Sequence, residues 1–240
     1  MNTPAKPAPP GTNTLPPPEM RYEVLPDRMP PIPDDKLTDA QREAKRDIES
    51  GARGELRGPY WPILRSPGFL KSVHRVGEYA RYHCPLDQRI NELATLMGAR
   101  AWTQQYAWNA HYGKAIKAGL KPEIAAAIAE GRRPDGMAKD EETLYDFVTE
   151  MLTNKSVSDP TYGKTAAQFG EAGVIDILGI VGYYSMLAMI MNVARTRMTD
   201  GRLLPLTPVP AQMRLLTPGA ASPEDYTMLA SQAKEFDRTR

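Results

Sequence analysis

The stretch LDQRINELATLMGARAWTQQYAWNAHYGKAIKAGL, residues 86–120, reads as two successive helices. Between Leu86 and Met97, the residues Ile90, Leu93, Ala94 and Met97 fall on one helical face. Gly98 marks a bend. A longer helix is predicted from about Trp102 to Ala118, closed by Gly119. Along it Gln104, Trp108, His111 and Ala115 recur at i, i+4, i+7 and i+11, so they share a face. That face carries an amide, an indole and an imidazole. The unperturbed pKa of His111 suits proton transfer near neutrality; a hydrogen-bonded core histidine is the alternative. In one straight helix Glu92 and His111 would stand about 28 Å apart. They meet only if the chain folds back at Gly98, or across a subunit boundary.

Helix signals extend outward on both sides. Thr38 with Gln41 forms a capping box, and Gly51 follows as a stop. Ser66-Pro67 opens a helix through Phe69, Val73, Val76 and Tyr79 or Ala80 that ends near Pro85. Pro122 starts a short Ala-rich helix ended by Gly131. Asp140 to Leu152 is amphipathic through Leu144, Phe147, Val148 and Met151. Ser158 caps a helix to about Phe169. The segment from about Val174 to Arg195 is apolar nearly all round, which predicts a central buried helix. No alternating strand pattern of useful length occurs. The expectation is one all-α domain over residues 36–198.

Proline marks the two ends. The chain has 23 prolines in 240 residues, about twice the roughly 5 % base rate. Residues 1–35 read as a Pro-rich extended arm, with some apolar content at Met20 to Leu25. Residues 199–240 form a second Pro-rich arm, with a short helix allowed over Ser222 to Phe236. Such arms wrap a partner subunit or stay disordered.

Composition narrows the function. With 30 Lys+Arg against 29 Asp+Glu, the formal net charge is +1. Nothing in that balance calls for nucleic acid or an anionic membrane surface. No apolar leader is visible near Met1, and the run Ile177 to Met191 is shorter than the about 20 residues of a membrane span. A cytoplasmic location is expected. Cys84 is the single cysteine, which excludes an intramolecular disulfide and a CxxC redox pair. The three histidines, His74, His83 and His111, lack metal-ligand spacing, so no metal site is expected. His74, His83 and Cys84 read as structural.

Several stretches together carry a resemblance: LRGPYWPILRS (56–66), GEYAR (77–81), NELATL (91–96), YAWNAH (106–111), KAGLKPEIAAAIAEGRRP (117–134), VSDPTY (157–162) and VGYY (181–184). In order and spacing they resemble the carboxymuconolactone decarboxylase and alkylhydroperoxidase D-like superfamily. The resemblance spans about Arg28 to Arg195. It implies a helical bundle of the alkylhydroperoxidase D-like type, flanked here by the two arms. In that family's motif a Glu, two cysteines in the thiol-peroxidase branch and a His stand in series. Glu92 and His111 fall on the outer two, and Gln104 and Ala107 on the cysteine positions. Thiol–disulfide chemistry needs a thiolate and a resolving partner, so peroxidase activity of that kind is not expected. The decarboxylase-like branch often has Tyr-Glu-Trp where this chain has Tyr106-Ala107-Trp108, so one carboxylate near His111 is missing.

The resemblance implies a cofactor-independent lyase or isomerase acting on a small carboxylated lactone or keto acid of aromatic catabolism. His111 would donate or accept the proton, assisted by Glu92. Gln104 and Tyr106 would hydrogen-bond a substrate oxygen. Trp108, Tyr183 and Tyr184 are pocket or core residues. Carboxylate anchors should be arginines, with Arg132 and Arg133, or Arg195 and Arg197, as candidates. Two other readings stay open: a diverged hydrolase or carbon–carbon lyase on the same scaffold, and a non-catalytic small-molecule-binding or assembly protein. The partners expected are a small-molecule substrate and further copies of the chain, as a trimer or hexamer.

Overall fold

The computed structural model describes residues 27–196 and residue 206. The expected apolar segment Met20 to Leu25 and the expected helix over Ser222 to Phe236 lie outside the described residues. Within the described residues the secondary structure is helical, with no strand. The helices are α1 Asp39–Glu49, α2 Tyr60–Ile63, α3 Pro67–Glu78, α4 Gln88–Ala101, α5 Gln105–Lys117, α6 Pro122–Ala129, α7 Lys139–Asn154 and α8 Asp159–Ala194. A π-helical turn, Tyr79–His83, continues α3.

Local chemistry sets many of these ends. The capping box at α1 forms as its residues predict: Gln41 N donates to Thr38 Oγ1, and Thr38 N to Gln41 Oε1. Asp87 caps α4 by accepting from Arg89 N at 2.9 Å. The helices expected at 158–169 and 174–195 run on as α8, broken only at Gly170 (φ 72°, ψ 165°). That conformation is open to glycine and strained for other residues.

The helix buried on every side is α4. All its residues from Ile90 to Arg100 are buried, and α5, α6, α7 and α8 pack around it. This corrects the expectation that α8 is the wholly buried core helix. α8 packs on α4 and α7, but Ile175 is 66 % exposed, Val193 57 % and Met189 40 %. It is long and apolar enough to cross a bilayer, yet more than half of its most apolar window is buried within the protein. α8 thus contributes one face to the core of the helical domain. α4 carries Asn91, Glu92, Thr95 and Arg100 into the interior. A helix with such residues does not read as central by hydropathy. Burial is tolerated where their polar atoms are paired. Asn91 Nδ2, for example, donates to Ala80 O at 2.8 Å.

Gly98 is not the bend. It lies inside α4, and a Cβ there would come within 3.4 Å of Val181 O on α8. That is an ordinary contact distance, so Gly98 simply lies against α8. The reversal comes at residues 102–104, where Thr103 adopts φ 48° and Gln104 caps α5. α5 consequently lies beside α4.

The extended run after residue 27 already touches the helices. Arg28 N donates to Ala194 O at 2.8 Å, and Arg65 to Pro30 O at 2.8 Å. Leu206 is buried, and its carbonyl accepts from Gln105 Nε2.

Candidate active site

The α4–α5 reversal brings Glu92 and His111 together. Glu92 Oε2 and His111 Nδ1 are 2.7 Å apart, with Glu92 4 % and His111 7 % exposed. Gln88, one turn before Glu92, donates to its other oxygen at 3.0 Å. With Glu92 as acceptor, Nδ1 carries the imidazole proton, which leaves Nε2 for a bound molecule. Burial pushes the His111 pKa below its ordinary value, against the opposing pull of Glu92. The imidazole is therefore neutral at neutral pH.

His111 lines a cavity of about 240 Å³. Its walls come from four places. α5 supplies Tyr106, Ala107, His111 and Lys114; α8 supplies Tyr183 and Tyr184; the segment before α2 supplies Arg53 and Arg57, and α2 itself Tyr60; the π-helical turn supplies Arg81. The Tyr184 ring meets His111 edge-on at 4.7 Å and Tyr183 at 5.1 Å. Tyr183 and Tyr60 share a hydroxyl–hydroxyl bond of 2.9 Å. Burial holds the Tyr183 and Tyr184 hydroxyls well above the ordinary phenol range, so both stay protonated.

The charge around the cavity is lopsided. Arg53, Arg57, Arg81 and Lys114 face it, and of these only Arg57 has an ion-pair partner among the described residues, Glu55 at 2.6 Å. The Arg53 guanidinium lies over the Tyr60 ring at 4.2 Å, and its buried Nε has no hydrogen-bond partner. Glu92 is the acid next to His111. A pocket with this excess of cations attracts an anion.

The structure separates the sequence-predicted residues into two groups. His111, Glu92, Tyr106, Tyr183 and Tyr184 come together. Gln104, Trp108, Arg132 and Arg133 do not reach the cavity. Gln104 is the α5 cap: its Oε1 accepts from Tyr106 N at 2.6 Å and its Nε2 donates to Asn192 Oδ1. Trp108 is buried in the core against Tyr112. The face through Gln104, Trp108 and Ala115 is thus the core side of α5. The cavity side runs through Ala107, Ala110, His111 and Lys114, one position round the helix. Arg132 pairs with Glu130, and Arg133 with Glu142 and Asp146. Arg195 closes α8 with φ 56°, and Arg197 lies outside the described residues.

Sequence reading missed Arg53, Arg57, Arg81, Lys114 and Tyr60. Lys114 had a signal, since i+3 from His111 shares its face. Arg53 and Arg57 come from an irregular segment that no helical period marks, and Arg81 from a π-helical turn, whose period departs from that of an α-helix. His74 packs edge-on against Tyr60 at 6.0 Å and lies 3.4 Å from Glu78. Cys84 terminates the π-helical turn, and burial raises its thiol pKa. Among the described residues no three His, Cys, Asp or Glu side chains converge as a metal site.

This helical arrangement is that of the alkylhydroperoxidase AhpD core. An uncharacterized peroxidase-related protein with that core from Ralstonia eutropha JMP134 superposes with a TM-score of 0.60 at 16 % identity, over 76 % of this chain and 98 % of that one. An uncharacterized peroxidase-related protein from Silicibacter sp. TM1040 superposes with a TM-score of 0.58 at 12 % identity, over 76 % and 97 %. No family model matches the sequence, and no curated protein matches it significantly. The chain is therefore an all-α protein with the AhpD-like fold. Its own site pairs a buried Glu92–His111 dyad with an arginine-lined cavity.

Proposed function

We propose that the chain is a cofactor-independent lyase or isomerase that takes a small carboxylated lactone or keto acid. The observation that carries this reading is the buried Glu92–His111 pair at the wall of a cavity lined by Arg53, Arg57 and Arg81. The guanidinium groups anchor the substrate carboxylate and stabilise charge that develops on oxygen. His111 Nε2 exchanges a proton with the reacting carbon, while Glu92 holds the ring and stabilises the imidazolium that forms. Such proton transfer contributes about 10²–10⁴ in rate. The Tyr183 and Tyr184 hydroxyls, kept protonated by burial, add donors beside the arginines.

Ala107 favours a second reading. It stands in the cavity wall where the decarboxylase-like motif places a carboxylate, which supports a diverged hydrolase or carbon–carbon lyase with the same His111. The neighbours' peroxidase-related names point to a third chemistry, against which stands the single cysteine of the sequence.

The test is a turnover screen of carboxylated lactones, β-keto acids and aromatic catabolites, with wild type beside His111→Ala and Arg81→Gln. Loss of substrate with wild type, abolished in His111→Ala and weakened through KM in Arg81→Gln, is expected. The product separates decarboxylation from the diverged reactions. Equal turnover by wild type and His111→Ala would sink the proposal.

A further inference from the structure

We infer that Lys114 is a nucleophilic amine of this cavity, which condenses with the keto group of a small oxo acid to form an iminium ion. This rests on the reading of the cavity as an active site for such an acid. Lys114 lies on α5 three residues beyond His111, lines the same cavity and is partly buried. No carboxylate pairs with it among the described residues, in contrast to Lys45 and Lys71.

The groups around it come from every neighbouring element. Arg53 and Arg57 approach from the segment before α2 and Arg81 from the π-helical turn. Tyr183 and Tyr184 line the cavity from α8, with Tyr106 and His111 on its own helix. Glu92 on α4 is committed to His111. Burial first, and then Arg81, hold the amine below the ordinary lysine value, with Glu92 opposing them. A desolvated lysine beside other cations is the setting in which a side-chain amine becomes a nucleophile near neutral pH. Lys71 is the contrast within the same chain: it pairs with Glu43 at 2.7 Å, and that bond raises its pKa.

The step balances without an added cofactor. The neutral Lys114 nitrogen attacks the keto carbon; one proton from the amine itself and one from solvent turn the carbonyl oxygen into water, which leaves, and an iminium cation remains. In a β-keto acid the bond to the carboxylate then breaks. Its electron pair flows into the iminium to give an enamine, and CO₂ departs. His111 Nε2, having taken a proton from solvent, passes it to the enamine carbon, and water hydrolyses the iminium to release the ketone and the free amine.

The experiment treats the full chain with acetoacetate, and separately with pyruvate, in the presence of cyanoborohydride. Peptide mass spectrometry then compares labelling at Lys114 and Lys71 across pH. Labelling at Lys114 is expected to lead several-fold near neutrality, with the lead shrinking as pH rises and the Lys71 amine also loses its proton. It should be absent in Lys114→Arg. Labelling at Lys114 that is absent, or no faster than at Lys71, overturns the inference. Turnover that survives Lys114→Arg but not His111→Ala also overturns it, while leaving the acid–base reading in place. Selective adduct at Lys114 with equal turnover in wild type and His111→Ala upholds it and removes the histidine-centred reading instead.

Discussion

Burial and a neighbouring carboxylate pull the His111 imidazole in opposite directions, and burial wins. The unfolded chain, with an ordinary histidine pKa of 6.5, therefore takes up a proton that the folded chain refuses. The sign follows: the stabilisation is full above pH 6.5 and is lost as pH falls from there through the folded value. His74, lowered first by burial, acts in the same direction. The melting temperature should thus fall on acidification below pH 6.5, and His111→Gln should flatten part of that slope relative to wild type. An unchanged slope would mean that His111 titrates alike in both states. Gly58 makes a second residue-scale case. Its φ is 54°, and a Cβ there would run into the Tyr106 ring. Gly58→Ala should cost about 1–3 kcal/mol from backbone strain and overpacking, read as a lower urea midpoint, and should displace a cavity wall. Glu92 and His111 were legible as residue types in the sequence. Their contact was not, because it depends on where the chain reverses.

At the scale of elements, α4 is fastened to its neighbours by polar contacts as well as by packing. Arg89 near its start bonds Asp140 at 2.6 Å and the buried Glu141 at 2.7 Å, both on α7. Arg89→Ala leaves Glu141 as a buried carboxylate without that partner, and should destabilise by roughly 3 kcal/mol, measured by urea unfolding. Asp140→Asn, which keeps Glu141 paired, should cost clearly less. The core side of the same contact is apolar: Phe147 on α7 is fully buried, and its truncation to Ala should cost about 3–5 kcal/mol. Helix existence was readable because the apolar period and the stop residues are local. The place of Gly98 was not, because a glycine at a bend and a glycine inside a helix look alike in one dimension.

Across the whole molecule, Ile175, Met189 and Val193 leave an apolar stripe along α8, and Phe69 and Val76 on α3 with Tyr79 of the following π-helical turn are exposed as well. Tyr79 bonds Asp176 at 2.7 Å, so the two exposed faces adjoin. We expect further copies of the chain to cover this surface, and Ile175→Glu with Val193→Glu to shift sedimentation toward the monomer. A wild type that sediments as a stable monomer at micromolar concentration would contradict that expectation. The all-α class and most helix spans follow from the sequence, because caps, glycine stops and the 3.6-residue period act over a few neighbouring residues, whereas Glu92 and His111 were paired as candidates only through the family resemblance. The hairpin at 102–104, the burial of α4 rather than the more apolar α8, and the convergence of Arg53, Arg57, Arg81 and Lys114 on one cavity belong to the tertiary structure alone. Those features join residues far apart in the chain, and packing brings them together irrespective of any local pattern.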